Sequence, residues 1–294
     1  MENTEIVAPV KKTNPLMTHM RQPKIYIKLP SNGKYYPEGT FSPSVNGEYP
    51  VYSMTARDEL IIKTPDALLN GQGVVDVIQS CMPNIKDAWA IPNIDIDVIL
   101  IAIRIASYGH KMSFNVKHEL IEDGEAEFEV DLRVMLDQLQ ADIRWEERIE
   151  VKPNLVLYVK PLDYETANKN SLTEFESQRI MQIVQDANMT EEQRLNAFKE
   201  SFLKLTDLTI KLIAKSVYKI DSDAGTTDDP ELIMEFMLNS DKEVNDAVKA
   251  HLEEMKKTNG IKPITINVSR DPAEPKNIEF PIAFDYASFF GQGS

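Results

Sequence analysis

One cysteine, Cys81, occurs in 294 residues, so no intramolecular disulfide forms and no cysteine-based zinc site can be built. It lies in the apolar run 74–82, where a lone thiol behaves as a small buried hydrophobe and suits a reducing compartment. Apolar runs are short. The most apolar stretch, 96–106, is broken by Asp97 and Arg104 and falls well below the roughly 20 residues that span a bilayer. The first twenty residues are polar, carry Pro and Lys, and do not resemble a signal peptide. Positive charge is sparse, and no Lys/Arg run exceeds two residues. With 47 acidic against 32 basic side chains, the formal net charge is −15. Such a surface repels phosphate backbones and anionic lipid, so neither nucleic acid nor membrane is an expected partner.

Catalytic signatures are also missing. There is no GxGxxG, no GxxxxGK[ST], no GxSxG and no HExxH. Asn70-Gly71-Gln72-Gly73 has the glycines of a phosphate cradle but not its Lys and Ser/Thr, and reads as a helix stop and restart. The histidines are His19, His110, His118 and His251. His110 and His118 flank one expected strand and are the only pair that suggests a metal-dependent hydrolase. A metal needs three or four convergent ligands, and their acidic surroundings favour solvated surface histidines. Asp221, Asp223, Asp228 and Asp229 have part of a calcium-loop spacing, with Gly225 in place. Leu232 stands where the closing Glu would be, so a solvated linker is expected. Neither a cofactor nor a catalytic residue is expected.

What is present reads as an α+β chain that can bury a sizeable core. Residues 1–22 show no periodicity and form an expected arm. Residues 24–29 alternate apolar and polar like a half-buried strand. Pro30-Ser31-Asn32-Gly33 is a turn, and short strands are expected at 34–36 and 49–52. Thr55 caps a helix with Asp58 and Glu59 in its first turn. Further helices are expected at 64–70, 74–82, 94–108 and 132–140. Alternation at 112–116 and 127–132 about Asp123-Gly124 signals a hairpin. Strands follow at 148–151 and 155–159.

From 164 to 255 the pattern is helical. Leu172, Phe175, Arg179, Ile180 and Ile183 suit one helix. Leu195, Phe198, Phe202, Leu205, Leu208 and Leu212 mark an apolar stripe on another, opened by Thr190-Glu191-Glu192-Gln193 as a capping box. Such a stripe usually lines its own core, and otherwise presents a partner face. Residues 264–268 and 278–282 form a closing hairpin that echoes the pattern of 112–116. Tyr286, Phe289 and Phe290 put aromatic weight at a chain end, where polar residues are usual, so this end is expected to dock. Four regions follow: an arm at 1–22, an α/β core block at 23–163, a helical region at 164–259, and a hairpin with aromatic tail packing on the core at 260–294.

The segment Leu29-Pro30-Ser31-Asn32-Gly33-Lys34-Tyr35-Tyr36, followed by residues 51–60 (VYSMTARDEL), resembles the N-terminal signature of the baseplate hub assembly proteins of T-even-type contractile-tailed bacteriophages. In that family an LPS-x-G-x-x-Y turn precedes a strand and an M-T-x-x-[DE]-E helix start, here Met54, Thr55, Asp58 and Glu59. The Asp95-Ile96-Asp97 approach, Ser107-Tyr108-Gly109 and a closing Phe284, Asp285, Phe289, Phe290 fit the same pattern. The resemblance covers roughly 24–135 and, loosely, the last thirty residues. The block 164–258 looks like a family-variable insertion.

The resemblance implies a hub subunit or hub assembly factor of the phage tail, acting in the host cytoplasm and through protein–protein binding. It implies partners among other tail or baseplate hub proteins, the tape measure included. A dedicated assembly chaperone, absent from the mature virion, is the alternative. The interaction residues it implies are Leu29, Pro30, Ser31, Gly33, Tyr36, Met54, Thr55, Asp58, Glu59, Phe284, Asp285, Phe289 and Phe290. Relatives carry Cys pairs near Tyr-Gly and near the C-terminus, as in a zinc-stabilised hairpin. Here Asn115-Val116-Lys117-His118 and Val268-Ser269-Arg270-Asp271 stand in their place, so packing alone must hold the hairpins.

Overall fold

The computed structural model describes residues 16, 20–64, 71–121, 124–141, 145–169, 190–268, 277–280 and 289–290. The helices expected within 64–70 and 172–183, and most of the arm, lie outside the described residues. The chain opens with β1 (Pro23–Ile27), paired antiparallel to β2 (Tyr49–Tyr52). Helices α1 (Ala56–Ile62), α2 (Gln72–Cys81) and α3 (Asn93–Tyr108) follow. The expected strand at 34–36 is instead a run of turns in which Asn32, Gly33 and Tyr35 all have positive φ. Side-chain bonds made by Ser31 and Tyr36, described below, hold the backbone out of a ladder.

The main core lies around α3. Ile96, Val98, Ile99, Leu100, Ile101 and Ile103 are buried, so this helix is covered on nearly every side. That explains its β-branched content: full burial asks for apolar bulk all round, and packing overrides the weak helix propensity of Ile and Val. Gly109, at φ 91°, ends it. A hairpin of β3 (Lys111–Lys117) and β4 (Glu125–Asp131) runs straight into α4 (Leu132–Ala141), which returns Leu132, Met135, Leu136 and Leu139 to the main core. The hairpin's inner face meets the closing hairpin of β9 (Ile264–Asn267) and β10 (Asn277–Phe280). Val116, Ile121, Ile266 and Ile278 form a small core there, flanked by Phe128 and Phe280. Apolar contact therefore joins the two hairpins.

A second core draws residues from both sides of the division expected at 163 and 164. Strands β5 (Arg148–Lys152) and β6 (Leu155–Val159) form one sheet with β7 (Val217–Ser222) and β8 (Gly225–Thr227), in the order β5-β6-β7-β8. Helices α5 (Glu191–Ser216), α6 (Pro230–Asn239) and α7 (Lys242–Asn259) accompany it. Leu157, Val159, Ile213, Val217, Ile220, Met237 and Val248 are among its buried residues. The helical reading of 164–255 is thus corrected at Val217–Ser222, which is strand. Val217 and Ile220 bury against β6, and the ladder to β6 satisfies their backbone groups. The acidic linker at 221–229 is corrected likewise: Asp221 is a strand residue whose carboxylate accepts from Thr226 at 2.7 Å and pairs with Lys219.

Candidate interaction site at the ends of the buried helix

Both ends of α3 are fixed by residues that also carry the family resemblance. At its start Asp95 is fully buried. Its carboxylate accepts the Ser31 amide at 2.8 Å, the Ser31 hydroxyl at 2.6 Å and the Tyr36 hydroxyl at 2.9 Å. The turn is shaped to deliver these donors. Asn32 donates to the Leu29 carbonyl, Lys34 to that of Ser31, and the Gly33 amide to Ser31 Oγ at 3.1 Å. Gly33 has φ 76°, and a Cβ there would approach the Phe41 ring to 3.0 Å, so a side chain would be strained in backbone and tight against the ring. Leu29 and Pro30 are buried, and Tyr36 stacks on Phe41 at 4.3 Å. Burial pushes the Asp95 carboxyl up to about 6, while the bonds from Ser31 and Tyr36 oppose the rise. Burial and the Asp95 charge together hold the Tyr36 hydroxyl protonated well above its ordinary range.

At the other end, Ser107 Oγ accepts the Met54 amide at 2.9 Å and donates back to the Ile103 carbonyl at 2.7 Å. Thr55 and Asp58 form a capping box, with Thr55 N–H donating to Asp58 Oδ2 at 2.7 Å and Asp58 N–H donating to Thr55 Oγ1 at 3.3 Å. Asp58 is itself buried, accepts from Ser80 Oγ at 3.0 Å and lies 3.6 Å from the Arg21 guanidinium. Burial, aided by Asp58, pushes the neighbouring Cys81 thiol up to about 12, which keeps it a thiol and unreactive at neutral pH. Burial, aided by the nearby Glu59 charge, raises the Tyr108 hydroxyl above its ordinary range. The Arg104 guanidinium lies over the Tyr108 ring at 4.5 Å, and its Nε donates to the Phe289 carbonyl at 3.0 Å. Phe289 and Phe290, each 1% exposed, meet edge to face at 5.1 Å within the main core.

The structure therefore gathers Leu29, Pro30, Ser31, Gly33 and Tyr36 at one end of α3, and Met54, Thr55, Asp58, Glu59, Phe289 and Phe290 at the other. Phe284 and Asp285 lie outside the described residues. Asp95, Arg104, Ser107 and Tyr108 complete the arrangement. None had been singled out as a site residue, although a charge inside an apolar run is a signal for a buried, partnered group. These side chains are occupied with one another, so their chemistry is structural. A cluster of exposed apolar side chains lies elsewhere, on the first turns of α5. There Leu195, Phe198, Phe202 and Leu203 are 53%, 40%, 59% and 68% exposed, and the Phe198 and Phe202 rings stack at 6.1 Å. The expectation that this stripe is core fails at Leu195, Phe198 and Phe202; the helix reaches the second core near its end through Ile210, Ile213 and Ala214, which lie off the stripe.

Hydrolytic chemistry finds no support in the histidines. His110 and His118 sit at opposite ends of β3, about 25 Å apart along an extended strand, and cannot converge on one ion. His118 Nδ1 accepts the Leu120 amide at 3.1 Å, and His251 Nε2 bonds the Glu146 carbonyl at 2.7 Å. Among the described residues there is no group of three or more His, Cys, Asp or Glu that could hold a metal, and no helix long and apolar enough to cross a membrane.

Fold and site together define an α+β protein whose buried polar groups brace one central helix and whose free apolar face sits on another. The chain belongs to the T4 bacteriophage base plate protein family, whose model matches residues 20–271. It is a baseplate-related phage protein. The matched span encloses the block 164–258. The match ends before the aromatic tail. No curated protein and no solved structure matches the chain.

Proposed function

We propose that this chain is a baseplate hub subunit or hub assembly factor that binds another tail protein during tail morphogenesis, without catalysis. Family membership supports the setting. The observation that carries the binding role is the exposed face of α5, with Leu195, Phe198, Phe202 and Leu203 on one helix. Clustered exposed apolar side chains of this size mark interaction surfaces, and aromatic residues dominate interface energetics. The partner is another hub or tail protein, the tape measure included, that offers an apolar helix to this face. In this reading the residues from Leu29 to Glu59 act indirectly, by fixing α3 and the body that carries the binding face. The net charge of −15 favours protein over nucleic acid as partner. Assembly takes place in the host cytoplasm, with the product in the tail. Co-expression with hub and tape-measure proteins, followed by pull-down, should retain one of them. If no tail protein co-purifies and loss of the gene leaves tails intact, the proposal fails.

The same exposed face supports a second reading, a dedicated chaperone that shields an apolar segment of the tape measure or hub. Mass spectrometry of purified particles against assembly intermediates separates the two. A hub subunit is present in both, and a chaperone is absent from particles.

A further inference from the structure

The exposed half of α5 carries its apolar side chains in an order that reads the same in both directions. Leu195, Phe198, Phe202 and Leu205 stand three, four and three residues apart, so Leu, Phe, Phe, Leu is symmetric about residue 200. At 3.6 residues per turn this spacing puts all four on one face. Leu195, Phe198 and Phe202 are exposed, Leu205 is half-buried, and the two central rings stack on each other. The second core claims the helix only from Ile210 onward.

We infer that a second copy of this chain covers this face, through α5 helices packed antiparallel about a two-fold axis at residue 200. A two-fold contact must be self-complementary, with residue i meeting j wherever j meets i. The Leu-Phe-Phe-Leu order meets that demand: Leu195 of each copy lies opposite Leu205 of the other, and Phe198 opposite Phe202. A parallel pair would instead crowd two second cores at one end, where Ile210 and Ile213 already hold each helix to its own body. The available area fits a pair that forms and parts with concentration. Leu195, Phe198, Phe202 and the neighbouring Leu203 leave on the order of 500 Å² open on each copy. Two such faces make about 1,000 Å², the lower bound of a specific interface. Lys199 is exposed beside the seam and comes near its counterpart, and its long stem carries the ammonium out to water. This occupant rests on the reading above that the α5 face binds protein, and a tail protein would take the face by displacing the copy.

The test is made on the full-length chain. Sedimentation equilibrium of wild type should show a dimer whose fraction rises with concentration, and F198S/F202S should weaken association at least tenfold. Should F198S/F202S fail to fold, L195N, which replaces a single exposed side chain of the same face, serves for the same comparison. K199C and E192C, both at exposed positions, then read the direction of the helices with a short thiol-to-thiol cross-linker. Residue 199 lies one position from the axis and should link to its counterpart. Residue 192 lies eight positions away, about 24 Å from its counterpart at 1.5 Å per residue, and should not. Cys81 is buried and stays silent, which wild type controls. A wild-type chain that stays monomeric, or that associates as F198S/F202S does, overturns the copy as occupant. Cross-links in both cysteine variants, or in neither, overturn the antiparallel pair. Either failure leaves the pull-down above untouched, and a failed pull-down leaves a measured dimer standing.

Discussion

Ser31 gives both its amide and its hydroxyl to the carboxylate of Asp95, at 2.8 and 2.6 Å, across 64 residues of sequence. The turn and the buried helix are thereby locked to each other. Asp95→Ala would strand three donors in the core, those of Ser31 and Tyr36, and is expected to cost about 2–4 kcal/mol. Ser31→Ala removes one donor and should cost about 1 kcal/mol. Denaturant unfolding measures both, and an Asp95→Ala chain as stable as wild type would show that the bonds are not formed.

The pH dependence has a definite sign. Burial raises the folded Asp95 carboxyl from 3.8 to about 6, so the folded chain binds this proton more tightly than the unfolded chain. Its contribution to stability is complete below about pH 4 and is lost as pH rises through 6, amounting to about 3 kcal/mol. Wild type should therefore lose stability between pH 4 and 7 relative to Asp95→Asn, which does not titrate. Parallel stability curves for the two chains would refute the shift.

At the opposite end of α3, Asp58 completes the α1 cap and also meets Ser80 and Arg21. Asp58→Ala is expected to destabilise by about 2 kcal/mol through loss of the cap and of buried partners. Hydrogen exchange should rise first in α1 and at the start of α2. Uniform protection across both helices would argue against the coupling.

Glu147 ties the two cores. One carboxylate oxygen accepts from Tyr35 and the other from Tyr218 at 2.9 Å, joining the N-terminal turn to β7. Glu147→Ala should cost about 1–2 kcal/mol. It should also loosen the second core's sheet, read as faster exchange at Val159, whose amide donates to the Glu147 carbonyl at 2.7 Å. Unaltered exchange there would mean that the bridge carries no load.

The exposed face of α5 makes the opposite prediction. F198S/F202S removes two exposed rings, so thermal stability should stay within about 0.5 kcal/mol of wild type. Co-purification of a tail partner should be lost. A large fall in stability would place these rings in the protein's own fold instead.

Much of the fold was legible because local pattern and tertiary environment agree. The α3 helix, expected at 94–108, forms over Asn93–Tyr108, and the β3–β4 hairpin forms where alternation about Asp123-Gly124 placed it. Reading failed where distant partners decide. Tyr35 and Tyr36 have strand-forming side chains, but bonds to Glu147 and Asp95 pull them into turns. Val217 to Ile220 was absorbed into a helical stretch because its β partner lies some sixty residues earlier, at Leu157. The α5 stripe looks like a core face, yet Leu195, Phe198 and Phe202 stay exposed and the helix meets a core through Ile210, Ile213 and Ala214 instead.

By itself the sequence determined the class of protein: acidic, with one cysteine, free of the common catalytic motifs, α+β, and marked by a turn and a helix start that place it among phage baseplate proteins. Those properties follow from composition and from contacts within a few residues. Only the tertiary structure decided which polar groups meet Asp95, where the tail phenylalanines lodge, and which half of the long helix stays exposed. Each depends on pairings across tens to hundreds of residues, whose energies exist only once burial has removed the water that would otherwise compete for them.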